Sequence, residues 1–265
     1  MFKSLVAMIA FVFSTMNGPQ AELPNIKVFQ PDRGIYVIKI KSAADYWVRP
    51  VVTDTLTSVS DLYSEQRYKL VVNGGYFDPN NGETTSYVII NKKIVADPTK
   101  NLALMNNEDL IPYMDKILNR GEFRILNCNY STKYSINYHN DEIEQGCELV
   151  HSLQAGPILD ERMDLEKEYF LVEKDGQVVR DSISATKKVA RTALGIKGND
   201  LFLFIVTDKN PMTIHELSSY IRELGMEQSI AFDGGSSTSF KYRKIDVVAS
   251  TDKSGRKVKS FLTVN

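Results

Sequence analysis

Apolar residues in this chain come in short runs of strand length, broken by glycine, proline, asparagine and aspartate. Residues 34–40 (G-I-Y-V-I-K-I) alternate as a half-buried strand does. Residues 58–66 predict a short helix, with Ser58 and Asp61 in capping-box-like spacing, feeding a strand that ends at Asn73. Residues 86–95 (Y-V-I-I, N-K-K, I-V) and 169–179, with a Lys-Asp-Gly turn, predict hairpins. Segments 102–106 and 122–126 are further strand candidates. Segment 136–147 is polar and loop-like, and the apolar run 149–159 is interrupted at Gly156-Pro157.

The C-terminal third is more sharply patterned. Residues 191–196 and 201–206 bracket a K-G-N-D turn as another hairpin. Thr213-x-x-Glu216 then opens a helix as a capping box. Its apolar face is Ile214, Leu217, Ile221 and Leu224, and Gly225 closes it. A strand ending at Asp233 follows. Many hairpins with few helices predict an α+β fold: a single domain with mostly antiparallel or mixed β-sheet.

Composition adds constraints. The 265 residues are 43% apolar, enough for a packed core, and the net charge is −1. The densest basic cluster, 251–259, is short, which argues against nucleic acid as a main partner. Lys3 precedes an apolar run at 5–13 that is too short to span a bilayer. This predicts a signal peptide over 1–21, ending at Ala21, and a mature domain over 22–265 that is exported to the periplasm or outside the cell. No later stretch is long and apolar enough for a transmembrane helix. In an oxidising compartment the two cysteines, Cys128 and Cys147, predict a disulfide contributing roughly 3 kcal/mol by the loop-entropy argument.

Two segments read alike. Residues 69–78 are K-L-V-V-N-G-G-Y-F-D and 229–238 are S-I-A-F-D-G-G-S-S-T. Each carries one polar side chain, Asn73 or Asp233, from a strand end into a glycine pair. Such a pair permits positive φ or close approach to the backbone. Asp78, Gln154, Arg191, Thr192, Asp208, Glu216, Ser236 and Ser237 also sit at element ends. Bland roles exist for several: Glu216 is explained by the capping box, and Asp78 and Asp208 fit turns. The histidines (His139, His151, His215) fit no triad spacing, and G-x-S-x-G, P-loop and GxGxxG motifs are absent. No cofactor is called for. A divalent cation on the oxygens of Asn73, Asp208 and Asp233 stays open, with no ligand spacing to mark it.

Asn73-Gly74-Gly75-Tyr76-Phe77, Gln154-Ala155-Gly156-Pro157, Arg191-Thr192-Ala193-Leu194-Gly195, Thr213-x-x-Glu216-Leu217 and Asp233-Gly234-Gly235-Ser236-Ser237 follow one another in the order seen in the phosphodiester glycosidases. The resemblance spans about residues 35–245, with the segment 160–188 poorly matched. It implies a hydrolase that cleaves the bond between a sugar's anomeric carbon and a phosphodiester, with a carbohydrate or glycan phosphodiester as partner. A phosphate monoester leaves readily, since its second ionisation lies near pH 6. Arg191 would grip the phosphate through its guanidinium fork. The N–H groups of Gly234, Gly235 and Ser236 would assist, beside Ser237 and Thr192. Asp233 would be the nucleophile or general base. Asn73, Gly74, Gln154, Gly156 and Asp208 would bind the substrate, and Asp78 and Glu216 would be second-rank catalytic carboxylates beside Asp233. Two other readings fit the same residues: a non-catalytic carbohydrate-binding protein of the cell envelope, and a metal-assisted phosphodiesterase that cuts P–O.

Overall fold

A computed structural model of the chain describes residues 23, 25–41, 47–249 and 254–265. The expected signal peptide and its cleavage point lie outside them. Among the described residues no helix is long and apolar enough to cross a membrane.

The fold is α+β, as the pattern predicts, and is built mainly from three five-stranded antiparallel sheets. One runs in the order β1 (Ile26–Asp32), β2 (Ile35–Ile40), β13 (Asp200–Val206), β12 (Arg191–Lys197), β14 (Gln228–Ala231). The second runs β16 (Ile245–Val248), β15 (Ser239–Tyr242), β4 (Leu70–Asn73), β17 (Val258–Val264), β3 (Val48–Thr57). The third runs β6 (Lys93–Ala96), β5 (Val88–Ile90), β9 (Cys147–Gln154), β7 (Gly121–Cys128), β8 (Ser131–Tyr138). A separate hairpin joins β10 (Leu171–Lys174) to β11 (Gln177–Asp181).

All three sheets contribute to one central core, through residues such as Ile38, Val72, Phe123, Leu153 and Phe240. The continuous apolar run of β13 has a direct cause. Leu201, Leu203 and Ile205 point into that core, while Phe202, Phe204 and Val206 point the other way. A strand buried on both faces has no polar alternation to show. The second layer is the helix Ile214–Glu223, whose Leu217 and Ile221 cover Phe204 and Val206. Its capping box is present, and Gly225 follows it at φ +77°. Among the described residues three short helices accompany it, so that in chain order they are α1 (Val59–Leu62), α2 (Leu102–Met105), α3 (Met114–Leu118) and α4, the capped helix.

The predicted hairpins at 86–95 and 169–179 form. Both turn through two residues at positive φ, Asn91-Lys92 and Asp175-Gly176, which matches the strand twist. Cys128 and Cys147 are disulfide-bonded where β7 and β9 pair. Elsewhere the pattern misleads. Residues 102–105 are helical, not extended: Leu-Ala-Leu-Met are good helix formers, and the Asn101 side chain accepts the Leu104 N–H at 3.2 Å as an N-cap. The loop-like segment 136–147 begins inside β8, where Ile136 is fully buried.

Candidate active site

The site lies where the first and second sheets meet. Asn73 ends β4 and is fully buried. Its Nδ2 donates to the Asp233 carbonyl at 2.6 Å. Its Oδ1 accepts from Thr192 Oγ1 at 2.8 Å and from the Ser239 N–H at 3.1 Å. One carboxamide thus ties β4, β12 and β15 to the peptide that carries Asp233. Thr192 is consumed in the same knot, and its carbonyl accepts the Phe232 N–H at 2.8 Å.

Both glycine pairs are explained, by different physics. A Cβ on Gly74 would sit 2.9 Å from the Ser260 backbone, and one on Gly75 would sit 2.5 Å from the Gln154 carbonyl oxygen. Close approach, not φ, excludes larger residues there. Gly235 has open space around it but lies at φ +57°, so conformation is its requirement.

These contacts shape a cavity of about 320 Å³ in which Asp233 and Arg191 face the same space. Tyr76 and Phe77 form one wall, residues 182–184 another, and the Gly235–Ser237 turn the floor. Asp233 is the only carboxylate lining it among the described residues. Burial raises its carboxyl from 3.8 to about 6. Ser237, the Arg256 charge and the Gly234 N–H pull the other way. Ser237 is therefore a direct partner of the acid. Tyr76 donates to the Gly156 carbonyl at 2.8 Å, and burial drives its hydroxyl far above the usual phenol range. It stays a neutral donor at any working pH.

Arg191 is 3% exposed and lines the cavity, but most of its donors are committed. Nε donates to the Met212 carbonyl at 3.0 Å and Nη1 to Ile183 at 2.8 Å. Nη2 donates to Ser184 at 2.6 Å and Lys187 at 3.0 Å. Three of the five N–H groups thus hold the wall of residues 183–187 in place, a fourth ties to Met212, and one remains for a ligand. Arg256, which sequence reasoning passed over inside the basic cluster 251–259, stands at the rim. Its Nη1 donates to Ser236 Oγ at 2.7 Å, with its guanidinium 5.6 Å from the Phe77 ring centroid. Its only signal in the sequence is that cluster, and Arg256 reaches the rim from the segment just ahead of β17, not through chain proximity.

The other candidates fall elsewhere. The Gly235 N–H is used on the Ala190 carbonyl, and the Gly234 N–H turns to Asp233. Of the three expected backbone donors, the Ser236 N–H is the one with no partner among the described residues. Gln154 is fully buried, accepts the Tyr87 N–H and donates to the Leu118 carbonyl, and does not line the cavity. Gly156, at φ +98°, packs against Glu168 and Phe170. Asp78 accepts the Asn80 N–H in a turn and lines a neighbouring cavity. Glu216 completes the α4 capping box and pairs with Lys188 at 2.8 Å, which holds its carboxyl low. Asp208 is exposed in the turn after β13. Neither Glu216 nor Asp208 lines the Asp233 cavity. Among the described residues no group of three His, Cys, Asp or Glu side chains could hold a metal.

The cavity of this layered antiparallel β fold, with one acid set among arginines, a hydroxyl-rich turn and aromatic walls, is chemically complementary to a small anionic molecule. The family model for phosphodiester glycosidases matches residues 66–265, and the chain belongs to that family. No curated protein matches it. Among solved structures, a hypothetical protein from Synechocystis superposes with a TM-score of 0.60 at 14% identity, over 92% of this chain and 64% of that one. This chain therefore spans less than two thirds of that protein's length. The catalytic domain of zebrafish N-acetylglucosamine-1-phosphodiester alpha-N-acetylglucosaminidase, auto-inhibited by its pro-peptide, superposes with a TM-score of 0.63 at 15% identity, over 93% and 85% of the two chains. At these identities the likeness shows a shared fold.

Proposed function

We propose that the chain hydrolyses a sugar-1-phosphodiester by cleaving the bond between the anomeric carbon and the phosphate oxygen. The observation that carries this reading is the single partly buried acid, Asp233, in one cavity with Arg191 and Arg256. The phosphate would lie toward Arg256, the free Arg191 N–H and the Ser236 N–H, where cationic and neutral donors converge. The sugar would lie against Tyr76 and Phe77. As the C1–O bond breaks, the electron pair leaves with the phosphate monoester. Asp233 either attacks C1, forming a glycosyl ester that water then opens, or takes the proton of the water that attacks C1. A second carboxylic acid is not required, because the leaving phosphate carries its negative charge without a proton. The arginines stabilise that charge as it grows.

The activity belongs outside the cytoplasm on this reading. Lys3 with the apolar run 5–13 and the Cys128–Cys147 disulfide both support it. Replacing Asp233 with Asn is expected to lower kcat on the order of 10³-fold against a panel of sugar-1-phosphodiesters. Full activity in D233N would remove Asp233 from the chemistry.

A further inference from the structure

Beside the Asp233 cavity lies a second one of about 260 Å³, and the two share Tyr76, Phe77, Ser182 and Ile183 as a common wall. Its far side is built by α2, α3, Phe170 and Arg180 of β11, the last two within the stretch 160–188 that departs from the family motifs. Two guanidiniums line it, Arg120 and Arg180. Arg180 Nε donates to the Tyr169 carbonyl at 3.0 Å and the group sits 4.5 Å from the Tyr169 ring centroid. Its two terminal nitrogens have no hydrogen-bond partner among the described residues. Arg120 lies 3.9 Å from the Phe170 ring centroid and donates to the Glu168 and Tyr169 carbonyls. Neither forms an ion pair: the arginine pairs of the described residues belong to Arg124, Arg162 and Arg222.

Two carboxylates stand near, and neither compensates the two cations fully. Asp78 lines the cavity itself and accepts the Asn80 N–H, and it can offset one of the two cations. Glu168 gives both oxygens to the Gly121 and Ile158 N–H groups, and burial raises its carboxyl to about 7, so near neutrality it carries part of a charge. An enclosed space with two cations and open N–H donors is complementary to an anion.

We propose that this second cavity is the leaving-group subsite, and that it recognises a second phosphate on the group released with the scissile phosphate. The inference rests on the reading of the Asp233 cavity given above. Sharing the Tyr76–Phe77 wall, the two cavities would take the two ends of one diester. The preferred substrate is then a sugar joined through phosphate to a sugar or polyol that carries a further phosphate.

Two measurements on the full chain decide it. In the first, inorganic phosphate is titrated while NMR follows the signals of Asn107, Arg120 and Arg180. These signals shift in wild type and in D233N, and Arg180→Ala abolishes the shift at Asn107 and Arg120. Phosphate that moves only the signals of Gly235 and Ser236, or none, overturns the subsite. In the second, Arg180→Ala raises KM about tenfold for a diester whose leaving group bears a second phosphate, leaves a methyl leaving group unaffected, and Arg180→Lys recovers part of the loss. An equal effect on both diesters overturns it. Absence of turnover on every diester would contradict the hydrolase reading instead, and the phosphate titration still decides the subsite.

Discussion

Asp233 holds its proton more tightly in the fold than in the unfolded chain, near 6 against 3.8, because burial penalises the carboxylate. The sign of the linkage follows. The stabilising contribution is complete below about pH 4 and is lost as pH rises through 6, so at neutral pH the ionised group opposes folding. D233N is therefore expected to match or exceed wild-type stability at pH 7 while losing activity. Thermal unfolding at pH 4, 6 and 8 checks this, and a wild-type advantage at pH 8 would speak against it. The same ionisation governs turnover: kcat/KM should rise with pH through about 6. Arg256 lowers the carboxyl from across the rim, so R256A moves the inflection to higher pH and raises KM through lost phosphate contact. An unmoved inflection would separate Arg256 from the acid.

Several elements meet at the site, and some of the residues expected to touch substrate turn out to hold them together. Asn73 was legible as a candidate because a polar group at a strand end beside a glycine pair is unusual, and Arg191 because it opens a strand within the motif order of the resembled family. Their partners were not legible, since the Asp233 carbonyl arrives from 160 residues away and the Met212 and Ile183 carbonyls from irregular segments that no periodicity marks. Arg191→Ala removes four hydrogen bonds and leaves the Ile183 and Lys187 carbonyls without their donor, while the Met212 and Ser184 carbonyls keep the Val189 and Lys187 N–H groups; it should destabilise by about 2 kcal/mol. Activity should fall with it, because the wall 183–187 loses its anchor. Denaturant titration of R191A tests this, and unchanged stability would return Arg191 to a purely ligand-binding role. Glu216 shows the converse. Its capping box was readable from four residues of sequence, and that local role is the one it fills. The helix at 102–105 was missed because its decisive cap, Asn101, is a side-chain hydrogen bond and not a periodicity.

At the scale of the whole molecule, the α+β class and most hairpins followed from apolar runs and turn residues. The assembly of three sheets around one core did not, because strands buried on both faces look alike whichever sheet they join. The strands after 238 escaped notice for a related reason: Lys241, Asp246 and Lys259 interrupt short strands with solvated charge. The Cys128–Cys147 bridge links positions 19 apart in sequence, at the ends of the interior strands β7 and β9 of the third sheet and outside the Asp233 cavity. Replacing both cysteines with serine should lower stability by about 2–3 kcal/mol and leave kcat unchanged. A comparable loss of kcat would tie the third sheet to catalysis.

The central claim is that Asp233 directs cleavage to carbon, not phosphorus. Hydrolysis of a sugar-1-phosphodiester in heavy-oxygen water, with products weighed by mass spectrometry, tests it most directly. The account predicts label at the sugar's anomeric oxygen and unlabelled phosphate monoester. Label in the phosphate would contradict it.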